Sequence, residues 1–133
     1  MIWFQLKCLG VIFIRIKVKG YLKNITDNDV LFFEENAIMN KDKIVYSNND
    51  VKTTIKVNDT EIILIREGND FVNTFCFNMK KSTCNYLLKE NNYDFDIEVK
   101  TIDMNINENM IYIKYLIVDS DIEFEYKLDI IDI

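Results

Sequence analysis

Val51-Lys-Thr-Thr-Ile-Lys-Val-Asn-Asp-Thr-Glu-Ile-Ile-Leu-Ile-Arg-Glu-Gly68 is the stretch that decides the fold. Two β-prone runs flank Asn58-Asp59, a pair that tolerates the positive φ angles of a tight hairpin turn. With those two residues as the loop, Val57 faces Thr60, Ile55 faces Ile62, Thr53 faces Leu64 and Val51 faces Arg66. Side chains alternate along a strand, so these pairs share one face. The other face pairs Lys56 with Glu61, Thr54 with Ile63 and Lys52 with Ile65. The Lys56–Glu61 pair supports that register, because opposite charges across a ladder stabilise modestly. The apolar face then carries Thr53, Thr60 and Arg66. A core-facing arginine needs a partner, because burying an unpaired charge is costly.

The chain has 133 residues, enough for one domain with a single core. Residues 1–133 therefore read as one unit, with residues 1–10 as an N-terminal extension. Hydrophobic residues make up 49% and charged residues 29%, a globular balance. Ile, Val, Phe, Tyr and Thr are abundant, and proline is absent, so nothing bars continuous strand pairing. The net charge of −6 argues against non-specific nucleic-acid binding, which needs a positive face. Three cysteines, Cys8, Cys76 and Cys84, are an odd count in a chain with its own core. Reduced thiols and a cytoplasmic address fit better than a disulfide scaffold.

Residues 1–15 are apolar but interrupted by Lys7. They lack a basic leader and a small-residue cleavage site, and the run is too short for a helical membrane span. Cys8 follows Lys7 rather than a small residue, which weakens a lipoprotein reading. The expectation is an extra strand turn, or an upstream start that extends the first strand, and no membrane association.

The rest of the chain repeats the β pattern. Ile12, Ile14, Ile16 and Val18 alternate with Phe13, Arg15, Lys17 and Lys19 up to Gly20, which marks a bulge or a close approach. Asn24 to Asn28 is a turn. Val30 to Phe33 starts a second strand, followed by Glu34-Glu35. Ala37–Met39 and Ile44–Tyr46 flank a hairpin loop at 40–43, and Ser47 to Asp50 is another loop. Phe71 to Met79 returns as Thr83 to Lys89 through a turn at Lys80-Lys81, placing Phe77 against Cys84 and Phe75 against Tyr86. Asn91-Asn92 make the next turn. From Tyr93 the apolar residues are Phe95, Ile97 and Val99, then the parity switches to Ile102, Met104 and Ile106, as at a bulge. An Asn107-Glu108 loop puts Met104 against Ile111 and Ile102 against Ile113. An Asp119-Ser120 loop puts Ile117 against Ile122, Tyr115 against Phe124, Ile113 against Tyr126 and Ile111 against Leu128, with Lys114 opposite Glu125.

Nearest-neighbour hairpins throughout make a meander. A meander of about eight to ten strands closes into an all-β, antiparallel up-and-down barrel, since closure removes the edges.

From Val18 to Asp132 the order of features resembles the YwiB-like family of uncharacterised bacterial proteins. The stretches that carry the resemblance are Gly20-Tyr-Leu-Lys, Thr53-Thr54-Ile-Lys-Val57, Ile65-Arg66-Glu-Gly68, Phe75-Cys-Phe77, Val99-Lys-Thr101 and Ile113-Lys-Tyr115. The Thr-Thr pair followed by the Arg-x-Gly turn is the most specific. At Leu88 to Tyr93 the family tends to carry a proline and a glycine, where this chain has Lys89-Glu-Asn-Asn92. The resemblance implies a calycin-type, lipocalin-like barrel and no activity.

The residues offer little reactive chemistry. There is no histidine, which removes Ser-His and Cys-His pairs and most zinc sites. Cys76 and Cys84 have no evident base and read as small hydrophobes. Asp94, Asp96 and Glu98 alternate on a solvated face and lack calcium-loop spacing. Adjacent Glu34 and Glu35 point to opposite faces and cannot act as an acid/base pair. The expectation is a non-enzyme without cofactor or metal. Arg66 with Thr53 can anchor the anionic head of a small amphipathic ligand in the lumen. The alternative is a rim arginine paired with an internal carboxylate, in a filled barrel whose exterior serves a protein partner. In that reading outward Ile63 and Ile65 form a contact patch or a homodimer seam.

Overall fold

In a computed structural model, residues 3–6 and 11–132 are described. They form eleven strands: β1 Trp3–Leu6, β2 Val11–Asn24, β3 Asp29–Asn40, β4 Lys43–Asn48, β5 Val51–Val57, β6 Ile62–Glu67, β7 Phe71–Phe77, β8 Ser82–Leu88, β9 Tyr93–Asn107, β10 Met110–Ile117 and β11 Ile122–Asp132. Strands β2 to β11 pair antiparallel with their sequence neighbours, and β11 pairs back onto β2. The result is a closed ten-strand up-and-down barrel, as expected from the meander. The short β1 pairs outside it with the start of β2, Trp3 opposite Ile14. The lipoprotein and leader readings rest on Lys7 and Cys8, which lie outside the described residues. No helix among the described residues is long and apolar enough to cross a membrane.

The opening hairpin keeps its faces but not its register. Val57 pairs with Ile62, Ile55 with Leu64 and Thr53 with Arg66. The loop is four residues long, not two. Asn58 Oδ1 accepts hydrogen bonds from the backbone N–H groups of Thr60 (3.0 Å) and Glu61 (2.9 Å), so its side chain closes the turn. Lys56 consequently sits between Lys43 and Ile63 rather than opposite Glu61. Asn78 does the same at the β7–β8 turn, where its Oδ1 accepts from Lys80 (3.0 Å) and Lys81 (2.7 Å). That hairpin therefore pairs Phe75 with Cys84 and Asn73 with Tyr86, instead of the register expected from a Lys80-Lys81 turn. A shift of two residues preserves the period-two alternation, so every inward residue stays inward.

The β10–β11 register is the expected one from Ile117↔Ile122 to Ile111↔Leu128, including Lys114↔Glu125. Glu125 nevertheless gives its oxygens to the hydroxyls of Tyr21 (2.7 Å) and Tyr112 (2.6 Å), and Lys114 lies 4.0 Å from Glu123. The parity switch in β9 is a bulge. Lys114 faces Asp103 but Tyr115 faces Thr101, leaving Ile102 unpaired and exposed instead of opposite Ile113. The β9–β10 loop falls at 108–109, so Ile111 meets Ile106 and Ile113 meets Met104. Residues 30–33 and 37–39, read as two pieces, belong to the single strand β3. At Gly20, a Cβ would run into the Lys127 carbonyl oxygen and approach the Phe33 ring to 2.9 Å, which explains the glycine as a close approach.

Turns alternate between the two ends of a meander, and here the ends differ. Around the β3–β4, β5–β6 and β7–β8 turns the lumen is filled by Ile16, Val18, Ile44, Ile55, Ile62, Phe77, Ile111, Ile113 and Leu128, all buried. Towards the β2–β3, β4–β5 and β10–β11 turns it is hollow.

Candidate functional site

The hollow half encloses a cavity of about 430 Å³. That lies within the size range of small-molecule sites, roughly 300–1,000 Å³. Its walls are mostly apolar and aromatic: Leu22, Leu31 and Phe33 from β2 and β3, Leu64, Phe75 and Phe77 from β6 and β7, and Ile97, Tyr115, Ile117, Ile122 and Phe124 from β9 to β11. Aromatic contacts tie the walls together. Phe33 stacks on Tyr46 (centroids 5.3 Å, 12° between planes), and Tyr115 stacks on Phe124 (5.4 Å, 20°).

Four polar side chains dominate the interior. Thr53 and Arg66 lie directly opposite each other on β5 and β6, closer than the expected register would place them. Thr53 is buried, with its hydroxyl near enough to Tyr46 to favour the ionised phenol. The Tyr46 hydroxyl lies 2.7 Å from that of Tyr126, and either can donate. Tyr46 and Tyr126 thus form a hydrogen-bonded pair in the lumen, with Thr53 beside Tyr46. Arg66 is half-buried and is close enough to Tyr46, Tyr115 and Tyr126 to favour their ionised forms. Burial outweighs it: all three phenols are pushed above their ordinary value, so they remain neutral hydrogen-bonding groups at neutral pH.

No Asp or Glu lines this cavity. Among the described residues Arg66 makes no ion pair. Nor is any side-chain nitrogen or oxygen among them both fully buried and unpartnered, so the guanidinium opens onto the cavity rather than being sealed in protein. The internal carboxylate considered as the partner of a rim arginine is found neither in the cavity lining nor among the ion pairs of the described residues. A fixed positive charge therefore faces an apolar space with neutral donors beside it.

The other candidate residues are elsewhere. Ile63 and Ile65 point outward from β6 and are half-buried among Lys56, Cys76, Thr54 and Thr74. The larger exposed apolar surface belongs to β3, where Phe32 is 74% exposed. Cys84 is buried inside the barrel and donates its thiol to Asn73 Oδ1 (3.2 Å). Cys76 is only half-buried, on the outer face, and donates to Glu61 Oε2 (3.0 Å). The two cysteines thus occupy opposite faces of the wall. Tyr46, Tyr126 and Asn73 were missed as site residues. Parity places them inward, but only the closed barrel brings side chains of β4 and β11, with two strands between them in the wall, within reach of each other.

The family profile described as Domain of unknown function (DUF1934) matches residues 13–130. The chain belongs to the DUF1934 family. The matched segment covers all ten barrel strands almost completely and leaves out β1. No curated protein matches the chain. The chain is similar to the crystal structure of the ywiB protein from Bacillus subtilis, at 16% sequence identity, with 90% of this chain and 91% of that chain covered and a TM-score of 0.63. At that identity the likeness concerns the fold alone.

Proposed function

We propose that this DUF1934 barrel binds a small amphipathic anion in its lumen, in the manner of a calycin-type carrier, without catalysing a reaction. The observation that carries this reading is Arg66: a guanidinium without a carboxylate partner among the described residues, facing a largely apolar cavity of about 430 Å³. An arginine offers a planar fork of donors that matches a carboxylate or phosphate edge. Thr53 and the neutral tyrosines supply further hydrogen bonds, and the aromatic walls take the apolar body. The anion would supply the charge that the protein does not. The reading carries a bacterial, cytoplasmic setting with reduced thiols, no nucleic-acid or membrane partner, and no cofactor. Native mass spectrometry of the purified protein tests it. The expected result is a monomer carrying a co-purified or added small anion at one per chain. A homodimer with an empty lumen would favour the alternative, a structural or interaction module using the outer face around Ile63 and Ile65.

A further inference from the structure

The barrel wall is not zipped along its whole height. β3 pairs with β4 only from Ala37↔Tyr46 to Asn40↔Lys43, although β3 extends back to Asp29 and β4 extends on to Asn48. Residues 29–36 of β3 pair with β2 alone, so their other edge has no strand partner. This splits the wall beside the hollow half of the lumen. Phe33 and Leu31 line the cavity on one side of the split, and Tyr46 and Asn48 on the other. Below the opening the stacked rings of Phe33 and Tyr46 close the wall where ladder hydrogen bonds stop. Leu31 lines the cavity and is still 51% exposed, which marks it as standing in the opening. Immediately outside is Phe32, backed by the Tyr21 ring at 6.2 Å.

Open strand edges and exposed large aromatics are both liabilities that need a reason. Here they coincide with a gap in the wall of an apolar cavity. We propose that the ligand is an elongated single-chain amphiphile whose head lies at Arg66 and whose apolar tail leaves the lumen sideways between β3 and β4, over Leu31 and onto Phe32. This rests on the ligand-binding reading above and extends it from a small anion to one longer than the lumen. A tail crossing the open edge of β3 meets apolar surface on both faces of that strand. A compact anion would leave the Phe32 surface unused.

A chain-length series of straight-chain carboxylates tests this by calorimetric titration: octanoate, dodecanoate and hexadecanoate, below their aggregation concentrations. For the wild type, affinity should rise from each member to the next, with an upper limit of about fourfold per methylene removed from water. Phe32→Ser should leave octanoate binding unchanged and weaken hexadecanoate at least fivefold. Phe95→Ser, at an exposed rim position outside the cavity lining, should weaken neither. If Phe32→Ser binds hexadecanoate like the wild type, the lateral exit is wrong while the Arg66 site stands. If Phe95→Ser weakens it instead, the tail leaves over the opposite rim. If no member of the series binds the wild type, both the exit and the lumen site fall.

Discussion

Tyr46 on β4 and Tyr126 on β11 join hydroxyls 2.7 Å apart inside the barrel, 80 positions apart in sequence. This bond reaches past β2 and β3, which lie between β11 and β4 in the wall, and its Tyr46 end stands beside the split between β3 and β4. Tyr126→Phe removes one hydroxyl and deprives Tyr46 of this bond. The expected cost is about 1 kcal/mol, read as a lower urea midpoint at unchanged slope.

The same tyrosines set an alkaline limit. Tyr46, Tyr115 and Tyr126 are raised chiefly by burial, and Tyr21 is raised to about 12 by burial and by its bond to Glu125. A raised folded value contributes stability that is fully present below the unfolded value near 10. It is lost as pH climbs from there towards the folded value. Stability should therefore fall above about pH 10. Tyrosinate absorbance from the three lumen phenols should appear together with unfolding rather than before it.

Asn58 and Asn78 each close a four-residue turn with two side-chain-to-backbone bonds. Replacing either by Ala should destabilise by about 1–2 kcal/mol. The lumen is untouched by either change, so the effect should appear in thermal melts without altering ligand affinity.

Gly20 sits where a methyl group would strike backbone, the Lys127 carbonyl, as well as the Phe33 ring. Backbone cannot rotate away as a side chain can. Gly20→Ala should cost about 3 kcal/mol or more and lower the melting temperature by roughly ten degrees or more.

Cys76 and Cys84 both hold thiols raised to about 11, first by burial and then by the negative charge of Glu61 and Asp96 respectively. The thiolate is the reactive form, and at pH 8 roughly one thiol in a thousand would be ionised at either site. Iodoacetamide should label both slowly in the folded protein and rapidly in urea, as read by peptide mapping.

Much of this architecture is legible in the sequence because strand alternation survives errors of register. The Asp119-Ser120 loop gave the β10–β11 pairing residue for residue. At Asn58 and Asn78 the expected two-residue loops were too short, since an asparagine that hydrogen-bonds two residues on extends its own turn. Both errors moved the partner by two positions, so Arg66 and Thr53 still share the inner face. The β9 bulge showed as a parity switch, but its position on Ile102 depends on the neighbouring strand. Closure itself was legible in the meander, but the contacts that closure creates were not. Tyr126 meets Tyr46 only once β11 pairs with β2, and the β3–β4 split, which runs from Asn36 back to Asp29, begins where the apolar alternation simply pauses.

Arg66 carries the central claim. An arginine held by a structural ion pair would destabilise the fold when removed, whereas one kept for a ligand leaves the empty protein as stable or more so. Titration of dodecanoate into wild type and Arg66→Gln, with melting curves of both unliganded proteins, is the most direct measurement. The predicted result is one site per chain in the wild type, affinity reduced roughly ten- to hundredfold in Arg66→Gln, and an undiminished melting temperature. Equal affinity in the two proteins, or a large loss of stability in the unliganded variant, would contradict it.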